Sequence, residues 1–303
     1  MLRKKPLVSV VMPVYNAGSF LVEAVESILS QTLRDFELII VNDASTDDSL
    51  SVILSFAKRY PKRIKVVNLT KNVNMGGDAA GNIGFALAKG KFIARMDADD
   101  IAMPERLEKQ VEFLKSHPEI SVVGSSAFVI NKEGSVIGEK KMPCSNEDIY
   151  NQFFTFHPMI HPTVMVRRTV SIGKSLYNLK YQANNDYLTF FSMISSGVKF
   201  ANLPEKLLFY RFHGKNDSLT RVKSRFLNSL KIRFEAIKDF GYKPGLFSII
   251  KLLAQSMVVF LLPEKVIVPV YLVVRGIIKP KDLLPKFKFF VHPKQLSFDF
   301  LER

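Results

Sequence analysis

The sequence predicts an α/β fold with a mostly parallel sheet, flanking helices and a C-terminal helical extension. Short apolar, β-branched runs alternate with amphipathic segments through the first half of the chain, which is typical of strands joined by right-handed helical crossovers. The runs are apolar almost throughout, as expected of strands that helices cover on both faces. Only helical patterns follow residue 219, so we expect the sheet to end before it.

The first half divides into strands and helices in strict alternation. Strands are expected at residues 7–12, 36–41, 64–69 and 91–96. Helices are expected between them, at residues 19–31, 46–59 and 78–89. Pro104 then opens a further helix to Ser116, at the first-turn position that proline tolerates. Two later strands are expected at residues 120–123 and 127–130, and a hairpin turn is expected after them at 132–135.

The second half of the chain is less regular. A helix is predicted at residues 184–195 and a strand at 206–212. After these, only helices are predicted, at residues 219–239, 246–262 and 265–278. We therefore divide the chain into a first domain of residues 1–218 and a basic, apolar helical region of residues 219–303.

Composition excludes a disordered chain, and the charge points to an anionic partner. Of the 303 residues, 47% are hydrophobic and 23% are charged, which is enough apolar material for a sizeable core. The formal net charge of +15 is typical of proteins that bind nucleic acid, a nucleotide-bearing substrate or a membrane surface. The single cysteine, Cys144, excludes an intrachain disulfide and is compatible with a reducing cytoplasm.

Neither apolar end of the chain is predicted to cross a membrane. The N-terminus mimics a signal peptide, but its apolar run is broken by Pro13 and lacks a small-residue cleavage site, so we expect a buried strand. Residues 246–262 are interrupted by Lys251 and Gln255. Basic residues beside apolar helices suit adsorption to an anionic membrane face, and a helical pair packed on the first domain explains them as well.

Three carboxylates within four residues follow the fourth predicted strand: Asp97, Asp99 and Asp100. In open α/β sheets, ligands bind at this carboxyl edge of the strands. Side chains alternate along a strand, so Asp97 and Asp99 can point the same way. Two such oxygen donors suit Mg²⁺ or Mn²⁺ held together with substrate phosphates. A solvated acidic turn that caps the next helix would produce the same pattern.

Two earlier strand ends also carry candidate binding residues. The first strand leads into a loop at residues 13–16, which is a natural place for a nucleotide, although an ordinary turn explains it equally. Asp43 closes the second strand, where its carboxylate can accept a hydrogen bond from a base or ribose. Residues 45–47 are expected to cap the next helix. The Gly-rich stretch 72–84 follows the third strand, so we interpret its glycines as permitting close backbone approach, not as a dinucleotide fingerprint.

Four motifs resemble those of the family 2 glycosyltransferases with the GT-A fold, both in their order and in the spacing between them. They are VSVVMPVYN, VNDASTDDS, NMGGDAAGNIGFALAKGKFIARMDADD and PERLEKQVEFL. The resemblance spans roughly residues 6–214, about two thirds of the chain. It implies a catalytic domain at residues 1–218, with a nucleotide-sugar half at about 1–125 and an acceptor half at about 126–218.

The resemblance also implies roles for single residues on the donor side. The base and ribose pocket is expected to be lined by Pro13, Tyr15 and Asn16. Asp43 is expected to bind the base and Arg95 the nucleotide or diphosphate. Asp97 and Asp99 correspond to the DXD pair of the family, in which Asp99 is the direct metal ligand and Asp97 lies nearer the ribose.

On the acceptor side, the resemblance implies that Asp186 is the catalytic base. Asn185 stands where the family usually has a glutamate, and we place it on the acceptor side. We expect His161 to line the acceptor side as well, His213 to contact the metal or diphosphate, and Arg211 to meet a phosphate by a forked contact. A helix N-terminal acid would explain Asp186 without catalysis. We interpret two further histidines as structural: His117 and His157.

These observations together predict a metal-dependent inverting glycosyltransferase that uses Mn²⁺ or Mg²⁺. Its donor is expected to be a nucleoside-diphosphate sugar, by default a UDP-sugar. The acceptor is expected to be a hydroxyl of a glycan or lipid-linked saccharide in cell-surface polysaccharide synthesis. We expect it in the cytoplasm, peripheral on the inner face of the cell membrane, where it contacts an anionic membrane surface and no nucleic acid.

Two alternatives stay open on sequence grounds. A sugar nucleotidyltransferase shares the sheet and the metal-binding acids but makes sugar nucleotides. A non-catalytic basic module that binds a membrane or nucleic acid would explain the net charge of +15. It would not explain the acids gathered at strand ends, because carboxylates repel phosphates unless a metal intervenes.

Overall fold

The computed structural model describes residues 5–73, 75, 77–170, 175–213, 222–263, 266, 267, 269, 270 and 273. Within these residues a nine-stranded sheet carries helices on both faces. The predicted α/β fold is confirmed, including the alternation of strands and helices in the first half and the helices that come after the sheet.

The bounds of the elements lie close to the predicted ones in the first half. The strands are β1 Val8–Val14, β2 Phe36–Asn42, β3 Ile64–Asn68, β4 Phe92–Arg95, β5 Ile101–Ala102, β6 Ile120–Ile130, β7 Val136–Lys140, β8 Met165–Arg167 and β9 Lys199–Arg211. The helices of the described residues are α1 Phe20–Leu29, α2 Ser49–Arg59, α3 Asp78–Leu87, α4 Arg106–Ser116, α5 Asn146–Phe153, α6 Asn185–Ser195, α7 Val222–Phe240 and α8 Leu246–Leu261.

The sheet is parallel in its first half and mixed in its second. Its strand order is β3-β2-β1-β4-β8-β6-β9-β5, with β7 paired to β6 outside this path. The pairs β1–β2, β1–β4 and β2–β3 are parallel, so the carboxyl ends of these strands meet at one edge. β8 runs antiparallel to β4 and β6, and β5 runs antiparallel to β9. The alternation along the sequence does not indicate these antiparallel pairs.

Two strands have bounds that differ from the prediction, and one predicted helix is not tested. β6 is one continuous strand where two are predicted, because the polar residues between the two runs pair with β9 and are buried. β9 begins at Lys199 and so extends well before the predicted start at 206. The helix predicted at 265–278 lies largely outside the described residues.

The core consists of two apolar layers, one on each face of the sheet. Val10 and Met12 of β1 pack with α1, α2 and α4, whereas Val11 packs with α3, α5, α6 and α7. This alternation arises from the opposite directions of neighbouring side chains in a strand. All seven residues of β1 are buried, which explains why the strand is apolar except for Ser9.

Helix α7 shares the second of these layers. Ile232 and Ala236 are buried in it, and the buried Arg233 donates a hydrogen bond to the carbonyl of Thr155 at 3.0 Å. The α7 helix is therefore packed on the body of the molecule. The domain boundary between residues 218 and 219 stays a prediction.

Helix α3 lies directly on β1 because Gly84 has no side chain. A Cβ atom at this position would be 2.4 Å from Cγ1 of Val11, a wholly buried residue of β1. The expected role of the Gly-rich stretch, close approach to a neighbouring strand, is thus confirmed for Gly84. This contact matters for the rest of the molecule because the other end of α3 borders the candidate site.

We expect Gly84→Ala to destabilise the protein. Alanine improves helix propensity by about 1 kcal/mol, but overpacking a buried contact costs about 1–3 kcal/mol. At 2.4 Å the overpacking outweighs the propensity, so the free energy of unfolding in denaturant should fall. As a control, Val11→Ala should cost less in the Gly84→Ala background than in the native protein. Strictly additive costs would contradict the proposed contact.

Candidate active site

The candidate site lies at the edge where the parallel strands end. The loops after β1 and β2 are tied together there by polar side chains. The Oδ1 of Asn16 accepts the backbone N–H of Thr46 at 2.8 Å, and the Oγ of Ser45 accepts the backbone N–H of Asn16 at 3.1 Å. Asp47 accepts the N–H of Gly18 through one oxygen and the N–H of Ser49 through the other. Residues 45–47, which were predicted to cap the next helix, therefore serve mainly to join the two loops.

The predicted nucleotide residues surround this pair of loops. Tyr15 is 54% exposed at the rim, while Pro13 is buried inside β1. Asp43 is only 4% exposed, and its Oδ1 accepts the backbone N–H of Val73 at 2.8 Å. Burial raises the pKa of Asp43, although the Val73 hydrogen bond opposes this rise. The backbone N–H of Asp43 donates to the carbonyl of Val14, the residue before Tyr15, so the buried carboxyl and the exposed ring belong to adjoining loops. This pairing is suited to a planar base with polar edges.

Three carboxylates gather just past the end of β4. Asp97, Asp99 and Asp100 each offer an oxygen within 4.8 Å of the others. Asp97 is held by Arg95, whose Nε and Nη2 lie 2.9 and 2.8 Å from its Oδ1. Asp99 is held by His213, whose Nε2 lies 3.0 Å from its Oδ2. The predicted neighbourhood of Asp97, Asp99 and His213 is therefore present in the structure.

Asp100 is the buried member of this cluster. It is 1% exposed, and its Oδ1 accepts the backbone N–H of Arg211 at 2.8 Å. Its Oδ2 is buried and accepts no hydrogen bond from a described residue. Burial and the neighbouring charges of Asp99 and Asp97 raise the pKa of Asp100 well above its usual range. The three carboxylates thus repel one another in this arrangement.

The chemistry of this cluster fits a divalent cation. Carboxylate oxygens are the ligands that Mg²⁺ and Mn²⁺ prefer, and an imidazole nitrogen beside them favours Mn²⁺. Asp97, Asp99 and Asp100 would supply the oxygens, and His213 the nitrogen. The unpaired Oδ2 of Asp100 is the observation that makes the fit specific, because an unpaired buried carboxylate oxygen is costly without a cation.

A buried arginine that sequence reasoning missed lies behind the cluster. Arg106 is wholly buried, and its Nη2 donates to the carbonyl of Arg95 at 2.7 Å. Burial lowers the pKa of Arg106 to about 10, and the charges of Asp100 and Asp97 oppose this shift. Arg106 remains a cation at neutral pH and offsets part of the negative charge of the cluster. In the sequence it reads as an ordinary first-turn residue of α4.

The structure corrects the phosphate contact expected of Arg211. This side chain is 1% exposed, and its guanidinium donates to the carbonyls of Asp99 and Lys132 and to the carboxylate of Glu23. Its backbone N–H is bound to Asp100 as well. Arg211 therefore positions the loop that carries the acids and is not available to a phosphate.

Arg95 lies in a socket formed by two glycines of the α3 N-terminus. Gly77 has a positive φ of 81°, and a Cβ at Gly81 would be 2.8 Å from Nη1 of Arg95. Nη1 also donates to the carbonyl of Gly77 at 3.2 Å. Burial disfavours the charged form of Arg95, but Asp97, Tyr177 and Asp78 outweigh it and raise its pKa. Arg95 is therefore a permanent cation beside the acid cluster.

The predicted base, Asp186, lies in the first turn of α6 and faces two histidines. Its Oδ2 is 3.3 Å from Nε2 of His157 and 3.7 Å from Nδ1 of His161. His157 accepts the backbone N–H of Met159 through Nδ1, so its proton is on Nε2, which faces Asp186. Burial raises the pKa of Asp186, but His161 and His157 outweigh it and lower the pKa overall. Asp186 is thus ionised at neutral pH.

Of these two histidines, His161 was expected beside the acceptor, whereas His157 was expected to be structural. His161 lies beside Asp186 on the acceptor half, and burial, together with the charge of Arg95, lowers the pKa of His161 to about 4. His157, interpreted from the sequence as purely structural, contacts the candidate base directly. The dipeptide His-Pro occurs at both positions, but it also occurs at 117–118 and 292–293, so the sequence carries no signal that pairs these two histidines.

Asn185 does not face an acceptor, contrary to the prediction. It is wholly buried, its Oδ1 accepts the N–H of Tyr181 at 2.9 Å, and its Nδ2 donates to the carbonyl of Tyr181 at 2.7 Å. Both ends of the amide are therefore used to shape the loop that precedes α6. In this chain, therefore, the asparagine that stands in place of the expected glutamate binds the backbone of Tyr181.

Asp78, which sequence reasoning placed only as the start of α3, connects the two groups of acids. Its carboxyl is 4% exposed, and its Oδ1 lies 3.9 Å from Nε2 of His161, whose Nδ1 lies 3.7 Å from Asp186. Burial and the charge of Asp186 raise the pKa of Asp78 well above its usual range. Tyr177, also missed, lies 2.7 Å from Nε2 of His161 through its Oη.

Relatives with curated names are named as glycosyltransferases. An uncharacterized glycosyltransferase of Methanocaldococcus jannaschii is 36% identical over 242 residues, which are 78% of this chain and 82% of that protein. The amylovoran biosynthesis glycosyltransferase AmsE of Erwinia amylovora is 30% identical over 82% of this chain and 94% of its own. The UDP-Glc:alpha-D-GlcNAc-diphosphoundecaprenol beta-1,3-glucosyltransferase WfaP of Escherichia coli is 28% identical over 78% and 88%.

Solved structures share the fold at low sequence identity. S. aureus TarS in complex with UDP has a TM-score of 0.61 and 18% identity, over 84% of this chain and 72% of that chain. The mannosyltransferase PcManGT from Pyrobaculum calidifontis, in complex with GDP-Man and Mn²⁺, has a TM-score of 0.57 and 19% identity, over 94% and 80%. The expected GT-A fold is thereby confirmed. Because the sequence model of Glycosyl transferase family 2 matches residues 9–174, more than half of the chain, this chain belongs to that family of glycosyltransferases.

Proposed function

We propose that this glycosyltransferase is metal-dependent and inverting, and that it moves a sugar from a nucleoside-diphosphate sugar to an acceptor hydroxyl. The observation that carries the proposal is the continuity of the two groups of acids. Asp97 is bound to Arg95, and Arg95 donates to the carbonyl of Gly77, the residue before Asp78. His161 lies 3.9 Å from Asp78 and 3.7 Å from Asp186 and so connects the two. A group that binds a cation and a group that accepts a proton therefore border the same cleft.

The donor proposal rests on the loops after β1 and β2. Asp43 is placed to accept a hydrogen bond from the base, and the exposed ring of Tyr15 offers a stacking surface. TarS has been solved with UDP, and the mannosyltransferase with GDP-Man and Mn²⁺. Among these bases we favour uracil, because TarS has been solved with UDP and with UDP-GlcNAc and the relative WfaP is named for a UDP-Glc donor. We favour Mn²⁺ because His213 lies beside Asp99.

The acceptor proposal rests on the names of relatives. AmsE is named for the biosynthesis of amylovoran, and WfaP is named for transfer to a diphosphoundecaprenol-linked sugar. We therefore propose a glycan or lipid-linked saccharide acceptor in cell-surface polysaccharide synthesis. His161 and His157 line the side of the cleft that would receive it, next to Asp186.

The proposed reaction needs stabilisation of the leaving diphosphate and a base for the acceptor hydroxyl. A divalent cation bound by the acids would supply Lewis acidity to the oxygens of the leaving diphosphate. Arg95 adds a fixed positive charge on the same side, in a buried setting where it is effective. As the acceptor oxygen bonds to the anomeric carbon, Asp186 takes its proton, and the bond from that carbon to the diphosphate oxygen breaks. Attack opposite the leaving group inverts the anomeric centre.

Asp99→Ala is expected to lower kcat about 100-fold or more, because Lewis-acid stabilisation is worth several kcal/mol and each ~1.4 kcal/mol is tenfold in rate. The measurement is release of nucleoside diphosphate from a panel of UDP-, GDP- and dTDP-sugars, with Mn²⁺, Mg²⁺ or EDTA. Asp48→Ala, which removes an exposed acid of the neighbouring loop, should be near native. Turnover that survives both Asp99→Ala and EDTA would contradict the metal mechanism, and release of pyrophosphate would identify a nucleotidyltransferase.

Asp186→Asn is expected to lower kcat by about 10²–10⁴-fold, the usual worth of a positioned general base, while donor affinity stays within about twofold. Calorimetric titration with donor and Mn²⁺ measures the affinity, and single-turnover transfer measures the rate. The matched control is Asp148→Asn, which neutralises a first-turn acid of another helix, α5. Native turnover in Asp186→Asn, with a stability loss equal to that of Asp148→Asn, would mean that Asp186 only favours its helix N-terminus.

A further inference from the structure

Helix α8 exposes most of its large apolar side chains and packs on the protein through a narrow stripe that is partly polar. Nine large apolar residues of this helix are exposed: Leu246, Phe247, Ile249, Ile250, Leu253, Met257, Val258, Phe260 and Leu261. The side that packs on the protein includes Ser248, Gln255 and Ser256, and Ser248 donates a hydrogen bond to the carbonyl of Asn151 on α5. Leu252 and Val259 complete this inner stripe. The helix therefore has more apolar surface outside than inside, unlike the usual amphipathic helix, whose apolar stripe faces the core. An exposed apolar area of this extent marks an interaction surface.

Basic residues accompany this apolar surface. Lys251 is the single charged residue of α8 and is exposed among the apolar side chains. On α7, exposed Leu227 and Phe234 alternate with exposed Lys231 and Lys238. Residues 222–263 contain seven Lys and Arg but only two Asp and Glu. An apolar face with lysines around it is typical of helices that lie in the interface of an anionic membrane.

We propose that α8 docks in the plane of a lipid bilayer that contains anionic headgroups, with its exposed apolar face in the headgroup region. The positive charge around α8 favours a membrane over the two other candidates, a second copy of the chain and residues 264–303. A second copy of the chain would bring two positively charged faces together, and residues 264–303 carry eight Lys and Arg against four Asp and Glu. A negatively charged lipid surface complements the same face.

The length of α8 fits a helix that lies on the membrane. Its 16 residues span ~24 Å, which is shorter than the ~30 Å hydrocarbon core of a bilayer. Across the described part of the chain, no helix combines the length and apolarity needed to cross a membrane. Docking of this kind therefore relies on apolar burial in the interface and on headgroup attraction, and it should weaken with salt.

The docking face is joined to the acceptor half of the cleft through α7. The Nδ2 of Asn184 donates to the carbonyl of Arg225, and the hydroxyl of Tyr181 donates to Glu235 of α7. Asn184 lies two residues before Asp186. Docking would thus hold the helix that carries the proposed base beside the membrane, where a lipid-linked acceptor lies; this last consequence alone rests on the proposed function.

Co-sedimentation of the full chain with vesicles tests the proposal. Native protein is expected to pellet with vesicles of phosphatidylcholine and phosphatidylglycerol, and to partition at least tenfold more weakly to phosphatidylcholine alone. The double variant Leu253→Gln with Met257→Gln, which changes two exposed residues one turn apart on α8, should lose at least tenfold in partition. The matched control is Leu54→Gln, an exposed leucine of α2, which should bind as the native protein does.

Two further measurements on the same samples test whether the double variant is folded and whether the protein dimerises. Thermal unfolding of the double variant should match that of Leu54→Gln, since all three substituted side chains are exposed. Native protein that stays in the supernatant with anionic vesicles would overturn the proposal. So would sedimentation velocity that shows a dimer, dissociated by the double variant, because a second copy would then cover the face. The assay needs no sugar donor, so its result is independent of the glycosyl-transfer tests.

Discussion

The arrangement of the site depends on holding three carboxylates within 4.8 Å of one another at the end of β4. Like charges at this distance repel, and the fold opposes the repulsion with arginines that have little or no contact with water. Arg95 pairs with Asp97, Arg106 lies behind the cluster, and Arg211 binds the backbone of Asp99 and the carboxyl of Asp100. A divalent cation would add a positive charge in direct contact with carboxylate oxygens that these arginines do not contact, such as Oδ2 of Asp100.

The mixed half of the sheet brings distant parts of the chain to this edge. β9 runs beside β6 and β5, so Arg211 and His213, which end β9 and follow it, reach Asp100 and Asp99 more than 100 residues earlier in the chain. Helix α6 is placed in a similar way, because the buried amide of Asn185 shapes the loop from which Asp186 enters the cleft. The second half of the fold therefore supplies the proposed base and completes the cation site that the first half begins.

Local patterns in the sequence predicted the parallel half of the sheet, the acid cluster and Asp43, because each of these depends on residues near in sequence. The contacts of Arg211, Asn185 and His157 could not be predicted in this way. An arginine after a strand looks the same in the sequence whether it reaches a phosphate or four protein groups. Asp78 was missed because a helix N-terminal acid is common, and only the tertiary packing of α3 on β1 places it beside Asp186.

The most direct test of the account is the position of manganese in crystals of the protein grown with UDP and Mn²⁺. Anomalous scattering identifies the ion without reference to activity. The account predicts one strong anomalous peak bound by Asp99 and its acidic neighbours, with the diphosphate of the nucleotide on the other side of the ion. A nucleotide bound over Asp43 and Tyr15 with no manganese at the acids, or with Asp97 and Asp99 turned away from it, would contradict the central claim.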